Sequence, residues 1–145
     1  DAYGGGGMYN FYAMGTADNP RTPVVFVHEF GHSFAGLADE YFSSEVAYQD
    51  FYNLKYEPWE PNITTLVNFD AKWKDLLPTN TPIPTPLDDA HKDKAGVFEG
   101  GGYIAKGIYR PMDHCMMRDY APFCPACSRA ILQMIDYFTD KPIKH

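Results

Sequence analysis

His28-Glu29-Phe30-Gly31-His32 is the stretch of this sequence that says most about its fold and its chemistry. If the stretch is helical, the two histidines lie one turn apart and project from the same face. Two imidazole nitrogens placed in this way can bind one zinc ion, which takes nitrogen ligands at about 2.0–2.1 Å. We therefore predict that His28 and His32 are two ligands of a Zn²⁺ cofactor.

Glu29 has a different place around such a helix, because it is rotated by about 100° from His28. It cannot comfortably bind the same ion as a third ligand, but its carboxylate can reach the open side of the ion. From there it can accept a proton from metal-activated water and later pass that proton to a leaving amine. We predict that Glu29 is the catalytic base of a hydrolase, which is the mechanical meaning of the HExxH pattern.

The residues around the motif predict a helix over residues 24–35. Thr22-Pro23 is typical of an N-cap followed by proline at the first helical position. Gly36 is typical of a residue that ends a helix. A second helix is predicted over residues 125–138, because apolar residues recur there at three- and four-residue steps.

The other segments predict strands, turns and little further helix. Residues 4–7, four consecutive glycines, are expected to form a flexible lead, and the aromatic residues 8–13 an edge strand. The many prolines of residues 58–102 predict a long ordered excursion, because proline is excluded from regular helices and central strands. Residues 103–111 predict short extended segments. The expected fold class is therefore α+β.

A catalytic zinc site needs a third protein ligand and an open fourth position. Gly36 lets the chain turn sharply after the helix, so that a ligand a few residues later can return to the metal. Asp39 is our predicted third ligand. Glu40 and His114 are the alternatives that the sequence leaves open.

Composition limits the classes of protein to consider. The chain has 145 residues, which suits a single domain over residues 1–145, and a net charge of −7 from 12 basic and 19 acidic side chains. This acidic balance is unfavourable for nucleic-acid binding, which needs surplus lysine and arginine. No run approaches the roughly 20 apolar residues of a membrane span. Because the sequence opens with Asp1 and not with Met, we expect an N-terminal portion of the same protein to be missing.

Residues 28–41, HEFGHSFAGLADEY, resemble the signature of the IgA-peptidase-like zinc metallopeptidases, which are mostly bacterial. Further pieces resemble that family in the same order, and the similarity extends from about Tyr9 to Phe138. These pieces are Lys72-Trp73, residues 82–86 (PIPTP), residues 97–103 (VFEGGGY), residues 109–111 (YRP), residues 115–118 (CMMR) and residues 122–127 (PFCPAC).

The resemblance implies a metzincin-like zincin catalytic domain, consisting mostly of the lower lobe with an edge strand and the zinc helix, and with a truncated upper lobe. Metzincins carry HExxHxxGxxH or HExxHxxGxxD. This sequence has one extra residue between His32 and Gly36 but keeps the Gly36-to-Asp39 spacing. Residues 115–117 resemble the metzincin methionine turn, with Met117 as the apolar floor under the metal ligands and Met116 as the alternative.

The function implied by the resemblance is zinc-dependent endopeptidase activity on a peptide or protein substrate. Tyr9 and Phe11 are predicted to bind an extended substrate along the edge strand, and Tyr109 and His114 to shape the pocket ahead of the methionine turn. The protein is expected to be bacterial and to act in the secreted, cell-surface or periplasmic space. A catalytically inactive metal- or glycan-binding module on the same fold is the alternative function.

The three cysteines, Cys115, Cys124 and Cys127, leave several possibilities open. We expect a disulfide from Cys115 to one of the other two, which would close a short loop and suits a secreted protease. A Cys124–Cys127 redox pair would instead indicate a thiol–disulfide oxidoreductase, but the βαβ context of such enzymes is missing. A cysteine-based zinc site would need a fourth ligand, which the sequence does not reveal.

Overall fold

The computed structural model describes residues 4–42 and 51–140, which form a small α+β fold with few helices and two small sheets. None of the helices in these two ranges is long and apolar enough to cross a membrane. In chain order the elements are β1 (Gly5–Met8), β2 (Tyr12–Gly15), α1 (Thr22–Ala35), two short 3₁₀ helices (Phe69–Ala71 and Lys74–Leu76), β3 (Phe98–Gly101), β4 (Ile104–Arg110), α2 (Met116–Asp119) and α3 (Pro125–Phe138).

Helix α1 carries the HExxH motif, as the sequence predicts. Its end at Gly36 is confirmed: Gly36 adopts a left-handed φ of 63°, and its N–H donates to the carbonyl of His32. The prediction that Thr22 is the N-cap is wrong, because the cap is Arg21 and Thr22 is already helical. The Thr22 hydroxyl instead donates to the carbonyl of Thr16 in the preceding segment.

The N-terminal segment is a β-hairpin, which corrects two expectations. Residues 4–7 are not a flexible lead, because β1 pairs antiparallel with β2 from Gly5↔Gly15 to Met8↔Tyr12. Residues 8–13 are not one strand, because the chain turns between Tyr9 and Phe11. Asn10 takes a positive φ of 56° in that turn, a conformation that asparagine tolerates.

The glycines of β1 let the hairpin lie directly against helix α1. A Cβ at Gly7 would lie 2.4 Å from the carbonyl oxygen of Glu29, and one at Gly5 would lie 2.5 Å from the carboxylate of Glu29. A Cβ at Gly6 would meet the end of the flexible Met14 side chain at 3.3 Å and no other atom as close. The glycine run is therefore a packing surface for helix α1.

The second hairpin pairs β3 with β4 and has an irregularity between Glu99 and Gly101. A bridge between Thr64 and Tyr109 attaches the proline-rich segment to β4. Arg110, which is fully buried, donates to the carbonyls of Glu99 and Gly100 at 2.8 Å each. The N–H groups of Gly102 and Tyr103 donate to the carbonyls of Asp39 and Tyr41 and hold the hairpin end beside the segment that follows α1.

The main core lies between α1, α3 and the irregular central segment. Trp73 is fully buried and its indole N–H donates to the carbonyl of Gly96 at 2.7 Å. Helix α3 has the predicted bounds, and the Cys124 side chain caps it by accepting from the N–H of Cys127. The buried members of this core are Ala35, Leu37, Phe69, Trp73, Val97, Cys115, Met117, Cys124, Ala126, Cys127 and Ala130.

The expected disulfide is not formed, since Cys115, Cys124 and Cys127 are all free and buried. The Sγ atoms of Cys115 and Cys127 lie 3.7 Å apart, whereas a disulfide requires about 2.05 Å. The three cysteines instead lie around one point together with Glu40. The prediction of a disulfide from Cys115 is therefore wrong for this structure.

Candidate functional site

The two histidines of α1 are oriented by backbone carbonyls. His28 Nδ1 lies 2.8 Å from the carbonyl oxygen of Met116, and His32 Nδ1 lies 2.5 Å from that of Leu37. Because a carbonyl only accepts hydrogen bonds, each Nδ1 must carry the proton. In the neutral imidazole this leaves a free lone pair on each Nε2, as a metal-binding histidine requires.

Asp39 brings a carboxylate oxygen to these two nitrogens. Its Oδ1 lies 3.0 Å from His28 Nε2 and 3.3 Å from His32 Nε2, and the two Nε2 atoms are 3.2 Å apart. In a tetrahedral zinc site with bonds of about 2.0–2.1 Å, ligand atoms lie about 3.3 Å apart. With both Nε2 atoms unprotonated, buried Asp39 Oδ1 has no hydrogen-bond donor among the described residues, which is rare for a folded protein. The residues present thus fit a zinc ion.

Tyr103 holds the other oxygen of the same carboxylate. Its hydroxyl donates to Asp39 Oδ2, and the Asp39 carbonyl accepts from the N–H of Gly102 at 2.8 Å. Burial acts to raise the pKa of Asp39, but the imidazoles of His28 and His32 in their protonated form and the Tyr103 hydroxyl hold it well below its usual range. Asp39 is therefore ionised and aimed at the imidazoles.

Glu29 lies on the side of α1 that faces strand β1. A carboxylate oxygen of Glu29 is within 4.8 Å of ligand atoms of His28 and His32. Its Oε1 lies next to Gly5, where the missing side chain makes room for it. Burial raises the pKa of Glu29 above its ordinary value, and the two histidines partly oppose this effect. A carboxylate in this place is a stronger base than one in water.

The three candidates for a third ligand lie in different places. Asp39 faces the imidazoles, whereas Glu40 points to the other side of the chain and is fully buried, with its Oε1 accepting from Asn62 Nδ2 at 2.9 Å. His114 is exposed and contacts the carboxylate of Asp119. Of the three, the structure brings Asp39 to the histidines and keeps the other two away.

Met117 packs against helix α1 at Gly31. Its side chain is fully buried, and its sulfur lies so close to Gly31 that a Cβ there would come within 2.8 Å. The neighbouring Met116 supplies the carbonyl that orients His28. The Met117 carbonyl accepts from the N–H of Glu40 at 2.7 Å. Residues 116–117 thus contact both helix α1 and the chain that follows it at Glu40.

A cleft of about 390 Å³ opens over the histidines. Tyr9 and Trp59 form one of its walls, with their rings 5.3 Å apart above Gly36. The described residues that line the cleft are Gly5, Gly6, Gly7, Tyr9, His28, Glu29, His32, Gly36, Leu37, Ala38, Asp39, Tyr41, Phe51, Tyr52, Trp59, Glu60 and Tyr103.

The predicted substrate-binding residues are scattered. Tyr9 lines the cleft, but Phe11 lies in a separate apolar depression with Phe26 and Phe30 on the opposite face of α1. Tyr109 lies within β4, and His114 lines a different depression. The structure thus brings one of these four residues to the histidines, and their roles in substrate binding stay predictions.

Tyr103, Trp59 and Glu60 are cleft residues that sequence reasoning missed as individual site residues. Each lies far along the chain from the HExxH motif, in irregular backbone or beside a glycine-rich turn. Local periodicity carries no information about such residues. The run Gly100-Gly101-Gly102 before Tyr103 was the available signal, since glycines mark close approaches of backbone.

The family model described as IgA Peptidase M64 matches residues 1–95 and 87–135 of the chain. No curated protein matches the chain. The matched residues include the HExxH helix, the Asp39 segment and all three cysteines.

Proposed function

The chain belongs to the IgA Peptidase M64 family, and from this premise we propose that it is a zinc-dependent endopeptidase. Membership of this family indicates that the chain is a metallopeptidase that acts on peptides or proteins. One observation carries the finer assignment, namely the convergence of His28 Nε2, His32 Nε2 and Asp39 Oδ1 within 3.0–3.3 Å of one another. Three protein ligands are the usual set of a catalytic zinc site, which keeps the fourth position open.

His28, His32 and Asp39 are the proposed zinc ligands. A zinc ion in such a site supplies Lewis-acid chemistry, which polarises a carbonyl and makes water a nucleophile near neutral pH. The chain contributes the fixed directions of the ligands, because the carbonyls of Met116 and Leu37 orient the imidazoles. Loss of such outer contacts typically weakens metal binding by about 10–100-fold.

Glu29 is the proposed general base. Its carboxylate lines the cleft beside the histidines, and its raised pKa suits proton transfer better than that of an exposed glutamate. In this role Glu29 accepts a proton from the attacking water and delivers it to the amine that leaves. Its place against Gly5 restricts its movement while it does so.

Strand β1 is the proposed guide for the substrate backbone. Gly5, Gly6 and Gly7 line the cleft, and within the described ranges β1 pairs with β2 alone. An extended peptide could add to its other edge through main-chain hydrogen bonds. Tyr9 and Trp59 would then contact substrate side chains. The proposed substrate-binding edge is thus β1, and not the edge strand that the sequence predicted over residues 8–13.

The competing functions have less support. Cys124 and Cys127 are 2 % and 0 % exposed, so a protein disulfide cannot reach them as an oxidoreductase requires. An inactive binding module has no need of Glu29 in the cleft. We retain a secreted, cell-surface or periplasmic location and the metzincin-like architecture with a truncated upper lobe as predictions, together with 1–145 as a single catalytic domain.

A Glu29→Gln variant tests the proposal. We expect cleavage of an unfolded protein substrate to fall by about 10²–10⁴-fold, because the base is lost, while the zinc content measured by mass spectrometry is unchanged. Cleavage by the wild-type protein should also stop on chelation and return with zinc. The matched control is Glu99→Gln, which removes a carboxylate that pairs with Lys106 on the surface.

Cleavage that survives Glu29→Gln would rule out this mechanism. Zinc bound by the wild-type protein without cleavage of any substrate would favour the inactive binding module. Loss of zinc in the variant would show that Glu29 is a ligand and not a base.

A further inference from the structure

A second group of metal-ligating side chains lies next to the histidine site. Cys115, Cys124, Cys127 and Glu40 place four ligand atoms within 4.8 Å of one another. All four residues are 0–2 % exposed. Three thiolates and one further ligand resemble the Cys₃His set of structural zinc sites, with a carboxylate, which zinc also binds, in place of the histidine. Cys124 and Cys127 have the C-x-x-C spacing of such sites.

The distances suit one ion between separate ligands. Cys115 Sγ lies 3.7 Å from Cys127 Sγ, and Cys127 Sγ lies 3.1 Å from Glu40 Oε1. Two sulfurs of a tetrahedral zinc site with bonds of about 2.3 Å lie about 3.8 Å apart. The sulfur–sulfur distance therefore already has the value that a shared ion needs.

One buried oxygen in this cluster has no partner. Glu40 Oε2 accepts no hydrogen bond from any described residue, while Oε1 accepts from Asn62 Nδ2 at 2.9 Å and from Cys127 Sγ at 3.1 Å. A buried carboxylate oxygen without a donor is costly unless a proton or a cation compensates it. The orphaned oxygen is an observation independent of the cysteines, and it points to a cation at the same place.

Backbone groups favour negative sulfur here. The N–H of Cys124 donates to Cys115 Sγ and the N–H of Cys127 to Cys124 Sγ, both at 3.4 Å. The cluster also lies at the N-terminus of α3, whose helix dipole favours negative charge. These donors favour the thiolate forms of Cys115 and Cys124, two of the four proposed ligands.

We propose that Glu40, Cys115, Cys124 and Cys127 bind a second zinc ion in a closed structural site. Four protein ligands fill a tetrahedral ion, so it has no position for substrate. The ion joins the chain just after Asp39 to the chain just before Met116, whose carbonyl orients His28. It therefore fastens the backbone that positions the histidine site, although its binding does not depend on the proposed peptidase activity.

Cobalt(II) added to the reduced, metal-free full chain tests this site directly. We expect binding of two cobalt ions per chain, one of which produces the near-ultraviolet thiolate-to-cobalt charge-transfer band. The double variant His28→Ala/His32→Ala should bind one ion and keep the whole band. Cys124→Ser should weaken or remove the band.

X-ray absorption of the zinc-loaded double variant provides the second measurement. We expect about three sulfur neighbours near 2.3 Å and one oxygen near 2.0–2.2 Å. Absence of the thiolate band in wild-type protein whose three thiols are shown to be reduced would overturn the proposal, as would a zinc shell without sulfur or an intramolecular disulfide. Because these readouts are spectroscopic, failure of proteolysis would overturn the proposed function and leave this site standing.

Discussion

Consecutive residues in the segment after α1 have opposite surroundings. Asp39 faces two imidazole nitrogens, and Glu40 faces three cysteine sulfurs. In the part of the chain that the structure describes, each of these carboxylates has one buried oxygen without a hydrogen-bond partner. A short length of chain thus supplies a carboxylate to each of the two proposed metal sites, and the orientation of Asp39 depends on the hydroxyl of Tyr103.

Replacement of Tyr103 by phenylalanine is expected to weaken metal binding at the histidine site by about 10–100-fold, because Asp39 Oδ2 loses the donor that orients it. Competition against a chromophoric chelator measures this affinity, and the binding step lost in His28→Ala identifies the histidine site. Tyr137→Phe, at an exposed position of α3, is the matched control and should bind as the wild type does. Equal affinities in the two variants would contradict a positioning role for Tyr103.

At the scale of elements, the β1–β2 hairpin and helix α1, which carries the HExxH motif, pack directly against each other. Two of the β1 glycines, Gly5 and Gly7, face α1, and Gly6 faces away, as the alternation of a strand requires. The backbone of β1 therefore replaces side chains as the packing surface. This arrangement also places the strand at the rim of the cleft, beside Glu29.

A Gly7→Ala substitution is expected to lower the free energy of unfolding by about 1–3 kcal/mol, as overpacking does. The added methyl group would lie 2.4 Å from the Glu29 carbonyl oxygen and 2.8 Å from His32 Cβ, so the hairpin must move. Gly6→Ala is the control: it meets the flexible end of Met14 and should cost little or even stabilise the fold. Urea denaturation compares the variants, and equal losses would refute the proposed facing of β1.

At the scale of the whole molecule, contacts between distant segments hold the site. Arg129 on α3 donates from Nη1 to both carboxylate oxygens of Asp75, Oδ1 at 2.8 Å and Oδ2 at 2.7 Å. Its Nη2 donates to the carbonyl of Lys72. These bonds fasten the final helix to the irregular central segment beside buried Trp73. The core that supports the proposed metal sites is therefore assembled from segments that carry little regular structure of their own.

Arg129→Met is expected to lower the free energy of unfolding by about 1 kcal/mol near pH 6. The exposed ion pair with Asp75 contributes a small part of this loss, and the hydrogen bond to the Lys72 carbonyl contributes the remainder. Hydrogen bonds from Arg129 lower the pKa of Asp75 below 3.8. The ionic part of the contribution is therefore complete above pH 3.8 and is lost as the pH falls through the lowered pKa.

Denaturation from pH 6 to pH 3 should accordingly show the difference between the wild type and Arg129→Met shrinking in acid. Lys92→Met, which breaks an exposed pair with Asp89 three residues away, serves as control and should change stability by a few tenths of a kcal/mol at most. A difference for Arg129→Met that grows as the pH falls would contradict the assigned role of Asp75.

The sequence by itself determined the features that arise within a few residues of one another. The bounds of α3, the end of α1 at Gly36 and the shared face of His28 and His32 follow from helical periodicity and from terminal glycine and proline. The family resemblance also rests on such local motifs. Even here, the position of Thr22 was misjudged, because a contact with Thr16 decides where its hydroxyl points.

Only the tertiary structure decided which carboxylate faces which site, that Tyr103 supports Asp39, and that Glu40 joins three unbonded cysteines. It also decided that the first glycines form a strand, since only their packing against α1 makes the absence of side chains useful. The physical reason is that these contacts join segments far apart in the chain. Their geometry depends on how the whole chain packs, and no local pattern of residues encodes it.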